Sequence, residues 1–182
     1  MDLAPGVLLV AEPALLDPNF RRAVVLLCDH NDEGSFGLIL NRTTELHLSE
    51  VLAEPVGLEH ELYFGGPVQT DTLHYLHPYA HTIEEAVPVL DGVSWGGPFD
   101  EVVEGIRTGA FDADAFRFFV GYAGWGEDQL QDEVDGDGWV VLPGSAADVF
   151  DHDPGTLWRD LLRTLGGEYA LLSNYPDDPQ MN

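Results

Sequence analysis

The residues best suited to nucleophilic chemistry lie in LLCDHNDEGSFGLILNR, residues 26–42, which holds the only cysteine of the chain. Cys28, Asp29 and His30 are adjacent, and a thiol, a carboxylate and a base are the groups of a cysteine nucleophile. Along a strand, Cys28 and His30 would share a face while Asp29 points away. Cys28 also ends the apolar run AVVLLC, where a thiol is usually buried and unreactive. We therefore predict a β-hairpin with a buried Cys28, joined through the turn-forming residues 31–35.

A second set of polar and glycine residues recurs at the ends of the predicted strands, where folds gather ligand-binding groups. If these residues converge, they form a small polar cleft containing arginine inside an acidic protein. The alternatives are that each arginine neutralises nearby carboxylates and that the glycines of GYAGWG form a tight strand-to-helix turn for packing. The cleft would comprise Arg21, His30, Asn41, Arg42, Gly65, Gly66, Gln69, Gly121, Gly124 and Trp125.

The residue spacing does not indicate a metal site or a phosphate-binding cofactor. His74, His77 and His81 cluster in HYLHPYAH, but His74 and His77 would face opposite sides of a strand, and Pro78 would interrupt a helix. A Walker-type loop needs a lysine, which this chain lacks, and the glycines of GYAGWG do not match the dinucleotide fingerprint. We expect no metal and no cofactor.

Short apolar runs bounded by turn residues predict the strands that would position these groups. GVLLVAEP, AVVLLC and FGLIL have almost no polar alternation, which is typical of strands buried on both faces. ELYFGGPVQ, FRFFVGY and GWVVLP predict further strands, and residues 74–95 predict a meander of short ones.

Helical spacing is clear in GPFDEVVEGIRTG and TLWRDLLRTLGG, and glycine closes both segments. Shorter helices are predicted in LSEVLAE, with Ser49 as a possible N-cap, and in WGEDQLQDEV. This order of elements fits an α+β domain with a mixed sheet or a small barrel.

Charge dominates the composition of this chain of 182 residues. There are 33 acidic and 7 basic residues, a formal net charge of −26, and every basic residue is arginine. This field repels phosphates, so we predict no direct DNA binding. Acidic surfaces without lysine resemble those of proteins from salt-rich cytoplasm, and we interpret the composition as halophilic.

The single cysteine cannot form an internal disulfide. No apolar run approaches the roughly 18 residues needed to cross a bilayer, and the first residues do not resemble a signal peptide. We expect a cytoplasmic protein with no membrane contact.

Three ordered motifs resemble the YqgE/AlgH family: DPNFRRAVVLLCDHNDEGSFGLILNR, LYFGGPVQTDTLHYLH and FVGYAGWGEDQLQDEVDGDGWVVLP. The resemblance extends over residues 3–172. It implies an α+β fold in which a bifurcated mixed sheet with a small β-barrel is surrounded by helices. The family is often described as a transcriptional regulator after a role in alginate gene expression, and its biochemical function is uncharacterised.

We therefore expect one domain, residues 1–172, followed by a frayed tail, residues 173–182. The leading hypothesis is a cytoplasmic accessory or regulatory protein that acts through protein or small-ligand contacts. The alternative is a hydrolase or transferase that uses a polar cleft near His30, Asn41 and Arg42, with His30 as base and Arg42 holding an anion.

Overall fold

The computed structural model describes residues 1–52 and 58–176. Within these ranges the strands are β1 (Val7–Ala11), β2 (Val24–Asn31), β3 (Gly34–Ile39), β4 (Thr43–His47), β5 (Glu61–Phe64), β6 (Val68–His77), β7 (Val87–Leu90), β8 (Val93–Trp95), β9 (Arg117–Gly126) and β10 (Trp139–Pro143). The helices are α1 (Leu48–Val51), α2 (Phe99–Thr108), α3 (Gln129–Asp135), α4 (Ala146–Phe150), α5 (Leu157–Leu165) and α6 (Gly167–Leu172). A single 3₁₀ turn, Ala113–Ala115, precedes β9 in the described chain.

The sheet is mixed and branches at β9. Its main path runs β10-β1-β2-β3-β9-β6-β8-β7. The C-terminal half of β9 pairs antiparallel with β3, and its N-terminal half pairs in parallel with β5, which also pairs with β4. The sheet curls into a half-barrel with helices packed against it, which confirms the predicted α+β class.

The core lies on both faces of the central strands, as the unbroken apolar runs predict. All five residues of β1 are buried. Leu8 and Leu26 pack on one face with Trp158 and Leu162 of α5, while Leu9 belongs to the cluster on the other face. A third cluster forms where α2 covers β5, β6 and the start of β9. Burial on both faces explains why these strands lack polar alternation.

The predicted hairpin is confirmed. β2 and β3 pair antiparallel and are joined at Asp32 and Glu33, and Cys28 is only 1% exposed. Burial, and to a lesser extent the charge of Asp29, raises the pKa of the Cys28 thiol far above its usual value, so the thiol stays protonated. The pairing register shifts between Leu27 and Asp29, and this bulge interrupts the strict alternation used to place Cys28 and His30 on one face.

The strand-to-helix turn predicted for GYAGWG is wrong, because these residues continue β9 to Gly126. Gly121 has φ of 69°, and a Cβ atom there would lie within 3.0 Å of the Gly66 carbonyl oxygen. The glycines allow the β5–β6 connection to cross tightly against β9, with Gly65 donating its N–H to the Val120 carbonyl at 2.9 Å. Their observed role is close backbone approach.

Two other sequence predictions change in detail. Ser49 is not the N-cap of α1. The N-cap is His47, whose N–H donates to the Glu50 carboxylate at 2.7 Å, and Ser49 lies inside the helix. The predicted meander begins instead with one ten-residue strand, β6. The last two residues of LSEVLAE and residues 177–182 of the predicted tail lie outside the described residues.

Both longer helices are confirmed, with Gly109 and Gly166 as their C-caps. None of the helices in the described ranges is long and apolar enough to cross a membrane.

Candidate functional site

A cavity of about 400 Å³ gathers most of the basic residues of the chain. We call it the arginine cavity. It is lined by Pro18, Arg21, Arg22, Asn41, Arg42, Pro154, Gly155, Trp158 and Arg159. Four of the seven arginines therefore surround one cavity, and none of the residues in ranges 1–52 and 58–176 that line it is acidic. In a protein with a net charge of −26, this is a strongly localised positive site.

Three segments build the arginine cavity: the loop between β1 and β2, the residues that follow β3, and the start of α5. Asn41 ties the first two together, because its side chain accepts from Val24 N–H at 2.8 Å and donates to the Arg22 carbonyl at 2.8 Å. Arg42 donates to the carbonyl oxygens of Arg21, at 2.8 Å, and Asn19. Asn41 and Arg42 therefore hold the loop in place.

The α5 side of the cavity is anchored by Trp158. Its indole N–H donates to the Ala11 carbonyl at 2.9 Å, in the buried interior. The Arg22 guanidinium lies 4.7 Å from the centroid of the Trp158 ring and donates to the Tyr175 carbonyl. A guanidinium over an indole face is a favourable cation–π arrangement. The first turn of α5 also places the positive end of its helix dipole beside the cavity.

Arg21 and Arg159 are the arginines most available to a ligand. Across residues 1–52 and 58–176, no side-chain hydrogen bond or salt bridge is found for either. Arg107 and Arg163, by contrast, pair with Glu104 at 2.7 Å and Asp160 at 3.9 Å. The alternative that arginines neutralise carboxylates thus describes Arg107 and Arg163, while Arg21 and Arg159 face the cavity.

Burial and a neighbouring carboxylate act in opposite directions on the Arg42 guanidinium. Desolvation lowers the pKa of the Arg42 guanidinium, and the negative charge of Asp17 partly opposes this effect. Because the usual pKa of arginine exceeds about 12, the side chain stays protonated at neutral pH. The cavity keeps its positive charge.

The structure brings together three of the ten residues predicted for a cleft: Arg21, Asn41 and Arg42. His30 lines a separate cavity of about 300 Å³, where its Nδ1 lies 2.7 Å from the Ser35 hydroxyl. Gly124 and Trp125 line a third cavity. The remaining four, Gly65, Gly66, Gln69 and Gly121, do not line the arginine cavity; the three glycines lie at the crossing of the β5–β6 connection with β9.

Sequence reasoning missed Arg22, Trp158 and Arg159. Strand alternation would place Arg21 and Arg22 on opposite faces. Arg22 instead has φ of 55°, so the chain turns there and both side chains reach one cavity. Arg159 comes from a distant helix, and its only sequence signal is that it is one of seven basic residues.

The clustered histidines have local structural roles. His77 is fully buried, with Nε2 2.7 Å from the Gly96 carbonyl, and its Nδ1 accepts from Tyr79 N–H at 3.1 Å. Burial lowers the pKa of both His74 and His77. Among the residues described, no three His, Cys, Asp or Glu side chains are arranged to hold a metal ion.

The matches to known proteins extend over nearly the whole chain. The AlgH-like family model (DUF179) matches residues 8–170. A UPF0301 protein from Cytophaga hutchinsonii is 42% identical over 181 residues, covering 99% of this chain and 100% of the relative. A UPF0301 protein from Chlorobaculum tepidum is 42% identical over 180 residues, covering 99% of this chain and 96% of the relative.

Two solved structures share the fold. The solution structure of the AlgH protein from Pseudomonas aeruginosa superposes with a TM-score of 0.75 and 30% identity, covering 98% of this chain and 100% of that one. The crystal structure of a protein from Corynebacterium diphtheriae gives a TM-score of 0.80 at 24% identity, covering 96% and 94% of the two chains. The family model and the full-length relatives place the chain in the AlgH-like family, and both solved structures agree with it in fold.

Proposed function

We propose that this protein binds a small, multiply charged anion in the arginine cavity and acts through that ligand as a cytoplasmic accessory or regulatory protein. The observation that carries the proposal is the gathering of four of seven arginines around one cavity that no acidic residue of the described ranges lines. General charge neutralisation would spread these arginines among the 33 acids instead. Concentrating like charges costs free energy, and a bound anion offsets that cost.

The shape and chemistry of the cavity suit such a ligand. Its volume of about 400 Å³ lies within the range of roughly 300–1,000 Å³ typical of small-molecule sites. Guanidinium groups bind carboxylate and phosphate oxygens in a bidentate manner. Arg21 and Arg159 approach from different elements, so a ligand with two anionic groups would contact both. Arg42 serves as a positioning residue, because it is hydrogen-bonded to the loop that carries Arg21.

The lining residues favour binding over catalysis. Those that the structure describes are proline, arginine, asparagine, glycine and tryptophan, and none of these residue types supplies a hydroxyl or thiol nucleophile or a general base for neutral pH. The alternative hydrolase or transferase needs His30 beside Asn41 and Arg42, but His30 lines a different cavity. The small size of the basic site within an acidic protein also argues against duplex DNA, whose binding requires many phosphate contacts.

The proposal is tested by titrating the protein with two probes, inorganic pyrophosphate and citrate, at constant ionic strength. Calorimetry measures affinity, and thermal melts measure the stabilisation that binding to the folded state produces. The variants are Arg21→Gln and Arg159→Gln. Arg107→Gln is the matched control, because it changes the net charge equally but alters only the exposed pair with Glu104.

We expect saturable binding of at least one probe at one site, weakened about tenfold or more by Arg21→Gln and by Arg159→Gln, and unchanged by Arg107→Gln. Equal weakening of anion binding in all three variants would show that net charge alone causes the effect and would contradict the proposal. No saturable binding of either anion at low or moderate salt would also contradict the proposal.

A further inference from the structure

A second cavity, also lined by residues of the β1–β2 loop, contains aromatic and acidic residues instead of arginines. We call it the aromatic cavity. It has a volume of about 400 Å³ and is lined by Leu15, Asp17, Phe20, Gly124, Trp125, Gln129, Glu133, Gly136, Gly138 and Trp139. Two of the four tryptophans of the chain line it, and none of the lining residues that the structure describes is basic. The anion-binding proposal makes no use of this cavity.

Three aromatic rings form one wall. Phe20 stacks on Trp125 with ring centroids 6.0 Å apart and meets Trp139 edge-on at 5.6 Å. Trp125 and Trp139 are nearly perpendicular, at an interplanar angle of 81° and a centroid distance of 6.1 Å. These contacts cover most of each indole, since Trp125 and Trp139 are only 5% and 4% exposed, and the parts of the rings that line the cavity offer electron-rich surface that attracts cations.

Two carboxylates supply negative charge to the same cavity. Both indole N–H groups donate to one oxygen of Glu133, from Trp125 at 3.0 Å and from Trp139 at 2.9 Å. Gln129 donates to the other oxygen at 3.2 Å. Asp17 accepts from the Asn19 N–H at 2.8 Å. Within the described chain, neither carboxylate forms a salt bridge.

These hydrogen bonds narrow the kind of cation that would fit. A carboxylate offers about four acceptor positions, and three donors already occupy three of the positions on Glu133. A primary ammonium ion would need several further acceptors for its N–H groups. A quaternary ammonium ion has no N–H donors and is held by aromatic rings and nearby negative charge alone.

We propose that the aromatic cavity binds an organic quaternary ammonium ion. Asp17 and Glu133 provide the charge, and Phe20, Trp125 and Trp139 provide the aromatic surface. The two cavities share the β1–β2 loop, and the charge of Asp17 also acts on Arg42. The aromatic rings and Glu133 belong to the aromatic cavity alone, so either site stands if the other fails.

The experiment titrates the full chain with choline and, in parallel, with 3,3-dimethylbutan-1-ol, the neutral carbon analogue of choline. Sodium chloride holds the ionic strength constant, so that general attraction of cations to the acidic surface is the same in every sample. Intrinsic tryptophan fluorescence follows binding directly, and calorimetry confirms the stoichiometry.

Two variants separate aromatic surface from charge. Phe20→Leu keeps an apolar side chain but removes a ring, and its control is Phe36→Leu, in a different aromatic cluster beside Trp95. Asp17→Asn removes a charge while retaining the acceptor for the Asn19 N–H, and its control is Asp29→Asn, at an exposed position. Asp17→Asn leaves the bonds of Glu133 intact, so the test does not depend on a variant that disturbs the core.

We expect saturable choline binding at one site and binding of the neutral analogue weaker by about fivefold or more. Phe20→Leu and Asp17→Asn should each weaken choline binding by about three- to tenfold, and their controls should leave it unchanged. Equal affinity for choline and its analogue would overturn the cation-binding role. So would the absence of a saturable signal, or wild-type affinity in both test variants.

Discussion

The tight crossing between β9 and the β5–β6 connection can be tested by a pair of glycine substitutions that differ in one respect. Gly121 and Gly109 have nearly the same left-handed φ, 69° and 78°. At Gly121 a Cβ atom would lie within 3.0 Å of the Gly66 carbonyl oxygen, whereas at Gly109 no atom lies within 4 Å. Gly121→Ala and Gly109→Ala therefore share the cost of a positive φ but differ in crowding.

The expected magnitudes follow from these two effects. Left-handed backbone costs an alanine about 1–2 kcal/mol, and the reduced entropy of the unfolded chain returns about 0.4–1 kcal/mol in both variants. Crowding against a backbone atom that cannot rotate away adds about 1–3 kcal/mol at Gly121 alone. We expect Gly109→Ala to lower the free energy of unfolding by about 1 kcal/mol, and Gly121→Ala to lower it by about 2–4 kcal/mol.

Urea denaturation followed by tryptophan fluorescence measures both values, provided that each variant unfolds in a single transition with an unchanged slope. The difference between the variants is the informative quantity, because strain and unfolded-state entropy cancel. Equal losses in the two variants would refute the tight crossing and, with it, the structural role assigned to the glycines of GYAGWG.

Four further predictions concern the thiol, pH, salt and DNA. Since burial keeps the Cys28 thiol protonated, a thiol-reactive reagent at neutral pH should label the native protein far more slowly than the urea-unfolded chain; equal rates would contradict the burial. Burial raises the pKa of Tyr75 to about 12, and its hydroxyl donates to the Gly97 carbonyl. The folded state therefore holds this proton more tightly than the unfolded chain, so the stability it contributes is complete below pH of about 10 and is lost between about 10 and 12. Tyr75→Phe should reduce the loss of unfolding free energy over that pH range, and an unchanged dependence on pH would contradict this prediction. Between pairs of described residues only two arginine–carboxylate salt bridges form, against 33 acidic residues in the chain. The melting temperature should therefore rise from low to molar potassium chloride as screening shortens the Debye length from about 10 Å to about 3 Å; flat melts would show that the acids are already compensated. Finally, we expect no sequence-independent duplex DNA binding at physiological salt, and a salt-sensitive gel shift at micromolar protein would disprove this.

The sequence alone predicted the strands and helices that are determined by residues adjacent in the chain. The apolar runs of β1, β2 and β3 predicted strands buried on both faces, because a strand with no polar alternation has no solvent-facing side. The spacing in α2 and α5 and the glycines that end them predicted both helices. The burial of Cys28 followed from the apolar residues that precede it.

Local patterns failed where contact with a distant segment sets the backbone. The glycines of GYAGWG have the composition of a turn, yet they lie in a strand because the β5–β6 connection crosses there and leaves no room for side chains. Ser49 has the chemistry of an N-cap, but α1 begins one residue before it, at Leu48, which is fully buried in the core.

The arginine cavity was likewise predicted only in part from the sequence. The sequence alone determined that the protein is acidic, that its few cations are arginines, and that Arg21, Asn41 and Arg42 lie at strand ends. Only the tertiary structure decided that Arg22 and Arg159 join them and that His30 does not. The left-handed turn at Arg22 cancels the alternation of a strand, and the packing of Trp158 against Ala11 brings α5 to the end of β1. Neither the turn at Arg22 nor the packing of Trp158 can be predicted from neighbouring residues, because each depends on residues that are distant in the chain and meet only when the core forms.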